Sequence, residues 1–100
     1  MTYFQTQVLE VVSKIPKGKV ITYQTLGSIL GCRGYQAIGQ ALRTNPTPIT
    51  IPCHRVIKAD RSLGGYLGNQ IEQKYELLLN EGITFDENQH VDPSCVLELL

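Results

Sequence analysis

The apolar positions of this 100-residue chain fall into three helical stripes, a β-branched stretch, and then a fourth helical stripe. Phe4, Val8, Leu9, Val11, Val12 and Ile15 recur at intervals that place them on one wide face of a helix. Thr2 supplies an N-cap, and Gln5 three residues on completes a capping box. Pro16 and the Lys17-Gly18-Lys19 turn are expected to end this helix. Val20-Ile21 is short and β-branched. Thr22 then reads as the cap of a second helix, Tyr23 to about Leu30, with Leu26, Ile29 and Leu30 as its buried stripe and Gly31 as its C-terminal residue. A third helix is predicted from about Tyr35 to Thr44, after a Cys32-Arg33-Gly34 turn. Ala37, Ile38, Gly39, Ala41 and Leu42 make it small-sided, so that another body can approach it closely. Two short helices joined by a tight glycine-containing turn have the form of a helix-turn-helix, and equally of an ordinary helical hairpin.

Asn45-Pro46-Thr47-Pro48 is a rigid connector, since each proline pushes the residue before it out of helical space. It delivers the chain into Ile49–Val56, an apolar segment that Ile57-Lys58 extends to a turn over Ala59–Leu63. Gly64, Gly65 and Gly68 around Tyr66 give a loop whose backbone can come near a ligand. Asn69 caps a fourth helix with Ile71, Tyr75, Leu78 and Leu79 as its buried face, closed by Glu81 and Gly82. Ile83-Thr84-Phe85 is a candidate short strand, Asp86–His90 a polar loop, and Pro93 the start of a small helix carrying Val96, Leu97, Leu99 and Leu100. The pattern as a whole is mainly α with minor β, in one domain over residues 1–100.

Composition narrows the functional class. No stretch approaches the eighteen or so apolar residues of a membrane span, and the N-terminus lacks a signal-peptide pattern. A cytoplasmic monomer with no membrane partner is the expectation. Three cysteines, Cys32, Cys53 and Cys95, are an odd number without repeated spacing, which indicates neither a disulfide framework nor a metal site. The net charge of zero conceals an asymmetry. Residues 1–61 carry eight basic and two acidic residues, a balance of +6, whereas residues 62–100 carry Lys74 against seven acids, a balance of −6. One face for a polyanion and one that repels it would produce this distribution, as would two solvated faces.

Chemistry concentrates at Cys53. A thiol becomes a nucleophile when a neighbouring base or cation stabilises its thiolate; His54 is the candidate base and Arg55 the nearest cation in sequence. Neighbouring residues of a strand face apart, so Cys53 and His54 can cooperate only through a turn at Pro52 or a bridging water. A base usually needs a third group to orient it, and Glu81, after the apolar Leu77-Leu78-Leu79, is the candidate carboxylate. Cys32 and Cys95 read as core fillers.

Pro52-Cys53-His54-Arg55-Val56 resembles the active-site signature of the O6-alkylguanine-DNA alkyltransferases. Ile15-Pro16-Lys17-Gly18-Lys19-Val20 with Thr22-Tyr23 resembles that family's approach to its helix-turn-helix, and Ala37-Ile38-Gly39-Gln40-Ala41 with Asn45-Pro46 its recognition helix and asparagine hinge. Gly65-Tyr66-x-Gly68, Lys74, Leu77-Leu78 and Glu81-Gly82 resemble its closing loop and helix. The likeness covers roughly residues 4–85 in order. It implies a winged helix-turn-helix-like domain that binds duplex DNA in the minor groove and flips the damaged guanine out of the stack. Cys53 would take the alkyl group irreversibly, one lesion per protein, with no cofactor and no metal. His54 would deprotonate Cys53 through a water, Glu81 would orient His54, and Asn45 would tie the recognition helix to the active-site segment. Tyr23 would hydrogen-bond the base or crowd the target phosphate, Tyr66 would wall the pocket, and the backbones of Cys53 and Val56 would read the guanine amino group. Arg33, Ala37, Gly39, Arg43 and Arg55 complete the expected DNA-binding set.

Three departures from the family pattern matter. Gln36 stands where the family has an intercalating arginine, which predicts weaker flipping unless Arg33 assists. Leu67 stands where some members have a serine, and the N-terminal domain of many members is not seen in this sequence. The alternative reading is an alkyltransferase-like protein that binds the lesion without removing it and recruits excision-repair proteins. Those relatives typically replace the cysteine by tryptophan or alanine, so Cys53 favours transfer. A helix-turn-helix regulator with a structural cysteine is the third reading, disfavoured by His54 and Glu81.

Overall fold

A computed structural model describes residues 2–31, 34–46, 51–64 and 71–98, with Tyr35 described by its backbone alone. Helix α1 spans Tyr3–Val12 and carries the expected capping box: the Gln5 amide donates to Thr2 Oγ1 at 3.1 Å, and the Thr2 amide donates to Gln5 Oε1 at 2.9 Å. It stops before Pro16. The amides of Lys14 and Ile15 make tighter bonds to Val11 and Val12, the backbone preceding a proline is disfavoured in helix, and Ile15 leaves the helix to drop into the core at 1% exposure. Strand β1, Ile21–Thr22, leads directly into α2, Tyr23–Leu30. Thr22 caps α2 by accepting the Thr25 amide at 3.0 Å, and Gly31 ends it in the left-handed region at φ 67°, where a side chain would be strained. Helix α3 spans Tyr35–Arg43. A 3-10 turn over Cys53–Arg55 follows, then β2, Val56–Ile57, then α4, Ile71–Asn80.

The two short strands pair in parallel, Ile21 with Val56 and Thr22 with Ile57, joined by a crossover through α2 and α3. Side chains alternate across this ribbon, and the alternation divides the interior. Ile21 and Val56 enter a core built with Val8, Val12 and Ile15, with Leu26 of α2, and with Ile38, Ala41 and Leu42 of α3. Val20 and Ile57 enter a second core with Leu63, Leu78, Ile83, Val91 and Cys95. Cys53 lies in the first of these, at its border with the ribbon.

Several expectations are corrected. Ile29 is 39% exposed: the inner face of α2 runs through Tyr23, Leu26, Gly27 and Leu30, and Ile29 lies beside it. In α4, Ile71 and Leu79 are exposed, while Lys74 and Leu78, four residues apart, form the buried line. After Gly82 the expected strand reduces to a bridge between Phe85 and Val91, and the expected last helix to a 3-10 turn over Pro93–Cys95. Backbone pairing prevents that helix. The Val20 amide donates to the Cys95 carbonyl at 2.9 Å and the Leu97 amide to the Val20 carbonyl at 2.8 Å, which draws the chain alongside Val20. Asn69, Leu99 and Leu100 lie outside the described residues, as do Cys32 and Ile49.

Ile38 reaches the first core from the middle of α3 and is fully buried. Ile38→Ala should lower stability by about 2–5 kcal/mol, measured as a reduced urea midpoint at unchanged slope.

Candidate active site

Pro52 turns the chain. Its φ of −80° and ψ of 66° are those of an inverse γ-turn, and the Cys53 amide donates to the Ile51 carbonyl at 2.8 Å. The Arg55 amide then donates to the Pro52 carbonyl at 2.9 Å, and the Val56 amide to that of Cys53. In a 3-10 turn successive side chains are about 120° apart, not opposed as in a strand. Cys53, 5% exposed, and His54, fully buried, therefore lie on one tight turn.

Glu81, at the end of α4, receives both residues that follow Cys53. Its Oε2 lies 3.0 Å from His54 Nε2, and Arg55 grips both oxygens, Nε to Oε1 at 2.8 Å and Nη2 to Oε2 at 2.6 Å. Arg55 Nη1 donates onward to the Ile15 carbonyl at 2.6 Å. Burial pushes the Glu81 carboxyl up, but hydrogen bonds from Arg55 and His54 outweigh it and hold the group below the usual carboxylate range. Burial pushes His54 down, against the pull of Glu81, so the ring is neutral near pH 7. An ionised carboxylate only accepts, so a neutral His54 donates from Nε2 and leaves Nδ1 as the basic nitrogen. Arg55 points inward in this arrangement; it braces Glu81 and does not line the cavity described below.

Asn45 follows α3, is 7% exposed, and donates from Nδ2 to the Ile51 carbonyl at 2.8 Å. It links the end of α3 to the segment two residues before Cys53. Tyr23 begins α2, and burial, then the nearby Cys53, push its phenol up, so it stays protonated. Lys74 is 1% exposed, and its ammonium donates to the Val56 carbonyl at 2.7 Å and to the Leu63 carbonyl. Burial pushes it down to about 8, and the proximity of Cys53 acts in the opposite sense. The carbonyls of Val56 and Cys53 are thus already engaged, by Lys74 and by the Val56 amide, with a second lone pair on each oxygen.

Beside this cluster lies a cavity of about 530 Å3 lined by Tyr23, Gln24, Gln36, Gly39, Lys58 and Ala59. The structure thus brings together Cys53, His54, Glu81 and Asn45, and gathers Tyr23, Gln36 and Gly39 around one cavity. Ala37 and Arg43 are exposed on α3 and do not line it. Arg33 and Tyr66 lie outside the described residues. Sequence reasoning did not assign a role to Gln24 or Lys58, and it grouped Lys74 only by resemblance. The signal for Lys74 was available: with Ile71, Tyr75 and Leu78 it completes a three-and-four spacing, at a core position of an amphipathic helix.

A two-helix unit packed beside a buried Pro-Cys-His-Arg turn defines a class of protein. The family model described as "6-O-methylguanine DNA methyltransferase, DNA binding domain" matches residues 3–83. The chain belongs to this family. A methylated-DNA–protein-cysteine methyltransferase of Methanothermobacter thermautotrophicus is 44% identical over 85 residues, 85% of this chain and 47% of the relative. That of Rattus norvegicus is 44% identical over 82 residues, 80% of this chain and 39% of the relative. The chain spans about half the length, or less, of these curated relatives. Among solved structures, Mycobacterium tuberculosis OGT in complex with DNA matches with a TM-score of 0.76 at 38% identity, covering 81% of this chain and 50% of that one. An S. pombe ATL in complex with DNA matches with a TM-score of 0.79 at 25% identity, covering 97% and 96%. Among the described residues, no helix is long and apolar enough to cross a membrane.

Two predictions follow from the Glu81 cluster. Arg55→Ala removes the bidentate partner of the half-buried Glu81 carboxylate and should destabilise the protein by about 1.5–3 kcal/mol, measured by urea unfolding. The cluster should also make the fold acid-sensitive. Unfolded His54 takes a proton below about pH 6.5 while the buried ring resists it, so the unfolded state binds more protons and stability falls as pH falls. Glu81, held below its usual range, adds a further loss as pH drops through its folded value. Urea midpoints should therefore decline from pH 7 to pH 5, and His54→Gln should flatten the upper part of that decline.

Proposed function

We propose that this chain repairs duplex DNA by moving the alkyl group of O6-alkylguanine onto Cys53, irreversibly and without a cofactor. The observation that carries the reading is a buried cysteine on the same 3-10 turn as a histidine whose partner carboxylate is held ionised. The transfer is a single displacement: the Cys53 sulfur attacks the alkyl carbon, the carbon–oxygen bond breaks, and the guanine leaves. The thiol proton passes to His54 Nδ1, through a bridging water, because Nε2 is committed to Glu81. Tyr23, kept protonated by burial, would hydrogen-bond the departing base or crowd the target phosphate. Membership of the family supports the substrate class, and relatives named for cysteine methyl transfer support the reaction.

The DNA side of the proposal rests on α2 and α3. The recognition helix would enter the minor groove, where Ala37 and Gly39 leave room for a close approach, and the flipped guanine would pass by the cavity between Tyr23 and Gln36. Arg33, Arg43 and Tyr66 would contribute backbone and pocket contacts. A second reading, lesion binding without transfer and recruitment of excision repair, has one observation on its side: the S. pombe ATL structure matches over 97% of this chain. Cys53 at the heart of the site favours transfer.

Incubation with an O6-methylguanine duplex should add the mass of one methyl group to the intact protein, located on Cys53. Cys53→Ala should abolish the gain and keep DNA binding. Tight binding of the lesion with no mass gain would replace this reading by the second. Gln36→Arg should speed transfer from duplex DNA more than from the free methylated base, because it restores a charged wedge only where a base must be flipped. Equal acceleration of both would remove Gln36 from that role.

A further inference from the structure

Lys58 lies just after β2, at the start of a tight turn. The Lys58 amide donates to the Ser62 carbonyl at 3.0 Å, the Arg61 amide donates to the Lys58 carbonyl at 2.9 Å, and Arg61 takes a left-handed φ of 72°. The C-terminal segment braces the turn: the Val91 amide donates to the Arg61 carbonyl at 2.9 Å, and Arg61 Nη1 donates to the Val91 carbonyl at 2.9 Å. The Lys58 stem lies along Gly64, where an added Cβ would meet its Cγ at 3.3 Å and its Cε at 3.4 Å. The backbone of Lys58 is therefore held, and its exposed stem passes close over Gly64. Its ammonium has no ion pair or hydrogen bond among the described residues. Asp60, two residues on, instead accepts the amide and hydroxyl of Ser62, at 2.9 and 2.7 Å.

Among the described residues lining the 530 Å3 cavity, Lys58 alone is charged. A cation at a cavity wall with no ion pair among the described residues, its neighbour Asp60 engaged by Ser62, is set to receive an anion from outside. We propose that Lys58 binds a backbone phosphate of the DNA duplex seated against α3, a contact that rests on the DNA-binding part of the function proposed above. The chemistry selects phosphate over a base edge. A helix lying in a groove occupies the base floor, so a wall beside it meets a sugar–phosphate strand, and lysine engages phosphate as a point charge. The contact supplies, from the turn after β2, the positive charge that Gln36 does not bring to α3.

The test measures binding to lesion-free duplexes of several sequences over a range of salt, where transfer cannot intervene. Lys58→Gln should weaken binding to every duplex alike and reduce the slope of log K against log salt by about 0.9, the loss of one neutralised phosphate. Lys58→Arg should restore the slope, Lys58→Glu should weaken binding further, and Lys14→Gln, at an exposed lysine outside the cavity, should leave the slope unchanged. An unchanged slope in Lys58→Gln, or a loss confined to one sequence, would overturn the phosphate contact while leaving the protein a DNA binder. Failure of the unaltered protein to bind any duplex would overturn the DNA-binding reading itself, and this contact with it.

Discussion

The carboxylate of Glu81 is where the fold and the chemistry of this protein meet. Two oxygens at the end of α4 take a bidentate guanidinium from Arg55 and an imidazole nitrogen from His54, and Arg55 extends the chain of bonds to the carbonyl of Ile15. Three segments distant in sequence are fixed by one anion: the chain after α1, the Cys53–Arg55 turn and the end of α4. Charge-assisted bonds of this kind contribute about 1.5–3 kcal/mol each, and burial raises the penalty for removing either partner. The same bonds decide which nitrogen of His54 carries its proton. Under the proposed transfer, a residue that keeps the fold together thereby also prepares the base beside the thiol.

The rest of the structure serves to present that cluster. The two-stranded ribbon separates one core, into which the helices of the first half pack, from another built with α4 and the C-terminal segment. Cys53 lies in the first core, beside the ribbon. Lys74 joins the ribbon to the second core by bonding the carbonyls of Val56 and Leu63, and Asn45 joins α3 to the chain just before Cys53. Under the proposed transfer, a movement of α3 on binding DNA would reach the nucleophile through Asn45 and the Ile51 carbonyl, a path with one side chain in it.

Much of this was legible in the sequence. The caps at Thr2 and Thr22, the left-handed stop at Gly31 and the limits of α2 and α3 follow from local chemistry that tertiary packing did not override. The His54–Glu81 pairing was readable because a base needs an orienting acid, and one carboxylate follows an apolar run. Other features depend on partners the sequence does not display. Ile71 and Leu79 looked like core and are exposed, because a lysine satisfied by two carbonyls occupies the buried line of α4. The inward turn of Arg55 depends on a carbonyl forty positions upstream, and the C-terminal segment pairs with Val20 in place of forming the expected helix. Lys58 had no local signature, since its significance lies in the Gly64 backbone and the cavity beside it.

The most direct measurement is the nitrogen-15 NMR spectrum of the histidine rings at pH 7, with His54 assigned by its loss in His54→Gln. An ionised Glu81 accepting from Nε2 predicts a neutral ring with its proton on Nε2 and an unprotonated, basic Nδ1. A proton on Nδ1 alone, or an imidazolium with both nitrogens protonated, would contradict the arrangement and leave the proposed transfer without its base.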